Sequence, residues 1–195
     1  MYTTELYGGA ITINKLPSSF IDVSRIRQVP DSQEVFINEV DTSNDDATLS
    51  SLLSYDQALI IDLLERVDAD DYHAAIAQHL QDFAPPGVHN NPLQELQVEG
   101  GKEVLYFSYV TFKPEYKRKE PNQAEQIIIL ICLLRLEQVA TDVVIQYNLP
   151  LKHDHQKPIS FAGGNDDVDK FASERFQWFK NLCSSLKVVD WSLFQ

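Results

Sequence analysis

The sequence predicts an α+β fold in which helices pack on an antiparallel β-sheet, and three observations lead to this prediction. Strand-like segments at 96–98 and 104–112 flank a glycine pair, as in a β-hairpin. Segment 126–137 is rich in Ile and Leu on both parities, as expected of a central strand covered on both faces, with a buried helix as the alternative. Helical spacing of apolar residues at 167–186 predicts a final helix that packs across the sheet.

The N-terminal segments predict further strands. Segment 6–14 alternates in the manner of a strand, and its glycine pair permits a bend. Segment 20–27 is expected to form a helical turn, which Asp22 or Ser24 could cap. Alternation resumes at Gln33, after a turn that contains a proline, so a strand is expected to begin there.

Segment 54–67 predicts an amphipathic helix. Ser54 and Gln57 have the spacing of a capping box, so the helix is expected to begin at about residue 55. Its apolar stripe consists of Ile60, Leu63, Leu64 and Val67. On such a helix Asp62 and Glu65 lie together on the opposite, solvent-exposed side.

The remaining segments predict a second helix and one more strand. Asp68 can cap the second helix, which a Pro-Pro-Gly sequence at 85–87 ends. The expected core side of that helix consists of Tyr72, Ile76, Leu80 and Phe83. A tight link at 138–141 leads into a strand at 142–150, which favours the strand interpretation of the preceding apolar run. Segment 41–51 is a polar loop without an apolar period.

The length and composition are those of one globular domain, 1–195. Of the 195 residues, 44% are hydrophobic and 23% charged, which is an ordinary globular balance. The apolar run at 127–134 is far shorter than the roughly 20 residues that cross a bilayer, and the N-terminus has no secretory signal pattern. Cys132 and Cys183 form no CxxC pair, which fits a reducing compartment. We therefore expect a cytosolic or nuclear protein that does not bind membranes.

The charge balance restricts the class of partner. The chain has 16 Lys and Arg against 29 Asp and Glu, so its net charge is −13. Because Lys and Arg supply most of the affinity for phosphate backbones, this excess of acid argues against a nucleic-acid partner. A basic protein surface is the better match, and the alternative is that the charge only keeps the protein soluble.

No segment has the pattern of a catalytic or cofactor site. The glycine pairs lack the spacing of a phosphate-binding loop, and no GxSxG elbow is present. His153 and His155 could begin a metal site, but a metal site usually has three or four ligands. Asp62 and Glu65 could serve as an acid and base only if burial raised one pKa, whereas the predicted helix places both toward water. The sequence thus predicts no enzyme, no cofactor and no metal.

Several motifs along the chain resemble one known family. In order they are LYGGAI, FIDVS, VPDSQEVF, IIDLLE, LLRL, TDVVIQYNLP and the terminal SLF. They resemble the Ran guanine nucleotide release factor family, small nuclear proteins that bind the GTPase Ran. The family's fold, which is shared with the PsbP subunit of photosystem II, implies an antiparallel sheet of about six strands flanked by helices on both faces.

The resemblance also implies a function and a set of site residues. It implies binding to Ran, in its GDP-bound, GTP-bound or nucleotide-free form, and release of the bound nucleotide without hydrolysis. It implies a nuclear protein, present also in the cytoplasm, that supports nuclear protein import; no sequence feature suggests an obligate dimer. The partner-binding residues that it implies are Asp31, Glu34, Asp62 and Glu65, with Asp22 and Gln33 as additional candidates.

Two other functions stay open at the level of sequence. The first is an adaptor that binds Ran without affecting its nucleotide. The second is a small-ligand pocket or enzyme on the same sheet, with His153 or His155 involved.

Overall fold

A computed structural model of the chain describes residues 3–14, 16–39, 52–53, 56–98, 103–118 and 123–194. The strands in this part are β1 (Thr3–Leu6), β2 (Ile11–Asn14), β3 (Phe20–Asp22), β4 (Gln33–Asn38), β5 (Gln57–Glu65), β6 (Asn91–Gln97), β7 (Val104–Phe112), β8 (Gln126–Leu136), β9 (Thr141–Leu151) and β10 (Lys187–Val188). The helices are α1 (Tyr72–Phe83) and α2 (Asp167–Cys183). Among the described residues no helix combines the length and apolar character that a membrane span requires.

Seven strands form one antiparallel sheet in the order β3-β4-β5-β9-β8-β7-β6, and β1, β2 and β10 form a small second sheet. Helix α1 packs on one face of the large sheet and α2 on the other, and each interface has its own core cluster. We call these faces the α1 face and the α2 face. The predicted class, an α+β fold with an antiparallel sheet and helices on both faces, is confirmed.

Strand β8 shows why the long apolar run at 126–137 forms a strand. Alternate side chains point to opposite faces, so Ile129, Ile131 and Leu133 join the α1 core. The residues between them, such as Leu130 and Cys132, join the α2 core. Because both faces are covered, every second residue need not be polar, and the strand interpretation is correct.

The predicted helix at 54–67 is wrong, because residues Gln57–Glu65 form β5. This strand pairs with β4 on one side and β9 on the other, and both of its faces are largely covered. A central strand buried on both faces has a nearly continuous apolar sequence, which also satisfies the i, i+3, i+4 rule of a helix. Ser54, the first residue of the predicted capping box, lies outside the described residues.

Smaller differences concern the ends of elements. Asp22 does cap a helical turn, a 3-10 turn at Val23–Arg25, and its carboxylate accepts a hydrogen bond from the Ser24 N–H. Helix α1 begins after Asp71 rather than after Asp68. The predicted loop at 41–51 lies outside the described residues.

The N-terminal segment is a hairpin rather than a single bent strand. Strands β1 and β2 pair with each other through the 3-10 turn Tyr7–Gly9, and β10 adds to β2 from the C-terminal end of the chain. All three turn residues have positive φ values, 50° for Tyr7, 66° for Gly8 and 95° for Gly9. Glycine adopts this region without steric cost, so the glycine pair allows the tight reversal.

Candidate functional site

The site residues predicted from the sequence meet at one end of the large sheet, where β4 begins and β5 ends. Gln33 and Asp62 are directly paired residues of these two strands, and Asp31 lies in the turn before β4. Glu65 is the last residue of β5, about 10 Å beyond Asp62 at the usual strand rise. We call the set Asp31, Gln33, Glu34, Asp62 and Glu65 the acidic end.

The members of the acidic end differ in exposure and in the face on which they lie. Asp31 and Glu65 are exposed, and Gln33 and Glu34 are partly buried. The prediction that Asp62 faces water is wrong, since only 7% of it is exposed. On a strand, residues three apart point to opposite faces, so Asp62 and Glu65 do not form the paired surface that a helix would give. The same geometry excludes them as an adjacent acid and base.

Asp62 lies on the α1 face between two amide side chains. Its Oδ1 accepts a hydrogen bond of 2.7 Å from Gln33 Nε2, and its Oδ2 accepts one of 3.0 Å from Gln146 Nε2. Burial raises the pKa of Asp62 above its ordinary value, although the two amide donors lower it. Asp62 therefore fixes the side chain of Gln33 and has little surface of its own for a partner.

Glu34 lies on the other face of β4, against the N-terminal turn. The Tyr7 N–H donates a hydrogen bond of 2.5 Å to Glu34 Oε1. Burial raises the pKa of Glu34, the Tyr7 N–H lowers it, and the negative charge of Asp22 raises it further. Glu34 is thus a half-buried carboxylate whose pKa lies above its ordinary value.

Two open grooves border Glu34. The first, of about 360 Å³, is lined by Asp31, Gln33 and Glu34 together with Tyr7 and Leu193. The second, of about 710 Å³, adds other carboxylates to Glu34 and has an apolar floor. Its acidic members are Glu5, Asp22 and Glu34, and its floor includes Leu16, Phe20 and Phe36. Glu34 lines both grooves, so its carboxylate can contact a ligand in either one.

Asp22 is partly neutralised within the chain. Besides capping the 3-10 turn, its Oδ2 lies 3.7 Å from Arg25 Nε. Asp22 is paired with Phe36 across β3 and β4, on the face that also carries Glu34. The structure thus brings Asp22 and Glu34 together on the α2 face, and Gln33 and Asp62 together on the α1 face.

The sequence interpretation missed a buried charge network beside the acidic end. Asp142 on β9 is fully buried and accepts hydrogen bonds from His79 Nε2 at 2.9 Å and Arg135 Nε at 3.0 Å. The Arg135 guanidinium also donates to the carbonyl oxygens of Val67 and Ala69. This network joins the segment between β5 and α1 to the sheet. Arg135 and Asp142 lie in the otherwise apolar strands β8 and β9, and a charged residue in such a strand is rarely buried without a partner. These two charges could therefore have indicated the network from the sequence.

The histidines of the open small-ligand alternative do not form a metal site. His153 is exposed, and the neighbouring Asp154 Oδ2 lies 2.5 Å from Lys113 Nζ. His155 contributes its backbone N–H to Gln126 Oε1 at 2.8 Å. No group of three or more potential metal ligands occurs among the described residues.

Comparisons with known proteins identify relatives over the whole chain. The sequence profile of a family described as "Ran-interacting Mog1 protein" matches residues 4–150. The chain is 34% identical over 192 residues to the nuclear import protein MOG1 of Saccharomyces cerevisiae, covering 97% of this chain and 83% of that protein. It is 26% identical to the Ran guanine nucleotide release factor of Danio rerio, covering 97% of both.

Solved structures agree with these sequence matches. The crystal structure of the Saccharomyces cerevisiae Ran-binding protein Mog1p has a TM-score of 0.68 and 30% identity, covering 100% of this chain and 98% of that one. A structure of a Mog1 point mutant has a TM-score of 0.69 with the same identity and coverage. The resemblance drawn from the sequence motifs is therefore confirmed.

Proposed function

This chain belongs to the Ran-interacting Mog1 family, and from that premise we propose that it binds Ran through the acidic end and promotes release of the bound guanine nucleotide. The family is one of Ran-binding nucleotide release factors and not of enzymes, so the prediction of a non-enzyme is confirmed. In this proposal residues 1–195 act as one monomeric Ran-binding domain. The protein acts in the nucleus, and also in the cytoplasm, in support of nuclear protein import.

The observation that supports the acidic end as the contact is its concentration of uncompensated carboxylates. Within the described part of the chain, no Lys or Arg side chain forms an ion pair with Asp31, Glu34 or Glu65. Glu34 and Glu65 lie on strands β4 and β5, and Asp31 lies in the short turn directly before β4. Such a surface attracts basic side chains and aligns them during association.

The members of the acidic end have different roles in this proposal. Asp31 and Glu65 are exposed and contact basic side chains of Ran directly, and Glu34 contacts them from between the two grooves. Asp62 acts indirectly, because it holds the Gln33 amide through a 2.7 Å hydrogen bond. Asp22 contributes negative charge to the second groove.

Nucleotide release follows from unequal affinity for the states of Ran. A partner lowers the nucleotide affinity of Ran only when it binds the nucleotide-free state more tightly than the nucleotide-bound state. Carboxylates held on a sheet can pair with basic Ran side chains near the nucleotide and favour a conformation with weaker phosphate contacts. Release of the nucleotide breaks no covalent bond.

The test measures release of a fluorescent GDP analogue from loaded Ran, with and without the protein. The variant Asp31→Lys with Glu65→Lys reverses two exposed charges, and we expect it to weaken Ran binding roughly tenfold or more. The matched control is Asp82→Lys with Glu174→Lys, which reverses two exposed charges on α1 and α2. Unchanged release and affinity in the first variant would exclude the acidic end as the contact.

The same assay separates the alternatives. Binding of Ran without faster release would identify an adaptor. Repeating the titration with GDP-bound, GTP-bound and nucleotide-free Ran identifies the preferred state. No Ran binding, together with thermal stabilisation by a metabolite or metal that is lost on changing His153 and His155 to Ala, would favour the small-ligand alternative.

A further inference from the structure

Tyr7 has an unusual backbone conformation beside the acidic end. With φ at 50°, it is one of two described residues other than glycine with positive φ, the second being Ala140. This region is unfavourable for a residue with a β-carbon, and a bulky residue remains there only when its surroundings hold it. Gly8 follows with φ 66°, so the strained residue and the glycine together form the turn.

Polar contacts hold Tyr7 in this conformation, one to Glu34 of the acidic end and the others to backbone carbonyls next to it. Its N–H donates to Glu34 Oε1 at 2.5 Å. Its hydroxyl group lies within hydrogen-bond distance of two carbonyl oxygens, Ile61 at 2.7 Å and Ser32 at 3.2 Å. One residue therefore joins the turn before β4, the β4 carboxylate and the backbone of β5.

Both ends of the chain fix the position of the Tyr7 turn. Strand β10 pairs with β2, and the N–H groups of Val189 and Asp190 donate to the Ala10 carbonyl oxygen at 2.8 and 3.1 Å. Leu193 lines the same groove as Tyr7 and Glu34. The turn is thus held by the small sheet before any partner arrives.

From this geometry we propose that Tyr7 is a positioning residue for partner binding: it holds the Glu34 carboxylate in a fixed orientation between the two grooves. This inference rests on the proposed function of the acidic end. Binding is tighter when a contacting group is already ordered in the free protein, because association then loses less side-chain entropy. Removing the Tyr7 contacts should therefore accelerate dissociation of Ran more than it slows association.

A double-mutant cycle tests the inference. Tyr7→Phe removes the hydroxyl bonds to β5 and the turn but keeps the ring, and Glu34→Gln removes the charge but keeps an acceptor for the Tyr7 N–H. We expect Tyr7→Phe to increase the dissociation rate of Ran about threefold to tenfold in the wild-type background. In the Glu34→Gln background the same substitution should have little further effect, because the two residues act as one unit.

The control for loss of a tyrosine hydroxyl is Tyr109→Phe, on β7 and outside both grooves that border Glu34. It should leave Ran dissociation unchanged, and urea unfolding should show that all variants are folded. Equal effects of Tyr7→Phe in both backgrounds would show a general structural role and overturn the inference. An unchanged dissociation rate in Tyr7→Phe, alongside weaker binding by Glu34→Gln, would overturn it while leaving the proposed function intact.

A measurement without Ran separates a failure of this inference from a failure of the proposed function. The Tyr7 amide should exchange with solvent at least tenfold faster in Glu34→Ala than in wild type, and should stay protected in Glu34→Gln. Equal exchange in all three proteins would refute the Tyr7 contact with Glu34. Protection as expected without any Ran binding would instead refute the proposed function.

Discussion

Asp62 and Asp142 are both buried on the α1 face of the large sheet, yet their surroundings shift their pKa values in opposite directions. Asp62 pairs with Val144 and Asp142 with Leu64, so the two carboxylates are diagonal neighbours on β5 and β9. Burial raises the pKa of Asp62 above its ordinary value. Burial acts on Asp142 as well, but hydrogen bonds from His79 and Arg135 lower its pKa below the ordinary value.

The difference lies in the partners rather than in the depth of burial. Asp142 is bonded to a guanidinium and an imidazole, whereas Asp62 is bonded to the neutral amides of Gln33 and Gln146. A cation compensates for the lost hydration of a carboxylate much better than an amide does. Asp142 therefore belongs to the fold, while the charge of Asp62 costs stability at a place where the proposed partner site lies.

The largest expected effect is on the Asp142 network. Asp142→Asn leaves Arg135 buried without its counterion and should lower the free energy of unfolding by about 3 to 5 kcal/mol. Urea unfolding at pH 7 measures this, with Asp82→Asn on the exposed side of α1 as the control. A loss no greater than that of the control would show that the network contributes little to stability.

The pH dependence should distinguish the two carboxylates by sign. Because the pKa of Asp142 is lowered in the folded protein, its carboxylate stabilises the fold above the unfolded pKa of roughly 3.9. This contribution to the free energy of unfolding is lost as the pH falls through the folded pKa. Because the pKa of Asp62 is raised in the folded protein, its protonated form is favoured there. Its contribution to the free energy of unfolding is present below the unfolded pKa of roughly 3.9 and is lost as the pH rises through the folded pKa. Relative to wild type, Asp142→Asn should lose stability with increasing pH and Asp62→Asn should gain it.

Urea unfolding of the wild type and both variants between about pH 3 and 7 gives the difference in free energy of unfolding between each variant and the wild type, and its slope with pH. Slopes of the same sign for both variants would contradict the assignment of opposite environments.

The smallest expected effect is that of Asp62→Asn at neutral pH. The substitution removes a desolvated charge and keeps one acceptor, so the free energy of unfolding should rise by about 1 kcal/mol or less. Ran binding should weaken only about threefold, through loss of the fixed Gln33 amide rather than of a direct contact. A loss of stability as large as that of Asp142→Asn would end the distinction between the two sites.

Most elements of the fold were predictable from local patterns. Strands β4, β7, β8 and β9 and both helices lie close to their predicted positions. Strand β6 pairs with β7 as predicted but begins at Asn91, five residues before the predicted start, and the glycine pair of the predicted turn lies outside the described residues. Residues Gln57–Glu65 were not predictable, because a strand covered on both faces and a helix with a buried stripe can share one apolar sequence. That single error placed Asp62 in solvent.

The candidate site was predictable only in part, for the same reason. The motifs indicated Asp31, Glu34, Asp62 and Glu65, and the structure brings these residues to one end of the sheet. Their exposures, faces and partners could not be predicted, since those depend on strand register. Tyr7 could not be predicted as a neighbour of Glu34, because 27 residues separate them in the sequence.

The sequence by itself determined the family, the acidic character and the α+β class, since these depend on composition, motif order and local periodicity. Only the tertiary structure decided which carboxylates are exposed and which are buried within the sheet. The physical reason is that the charge of a buried acid depends on partners from other strands and helices, as Gln146 shows for Asp62 and His79 for Asp142.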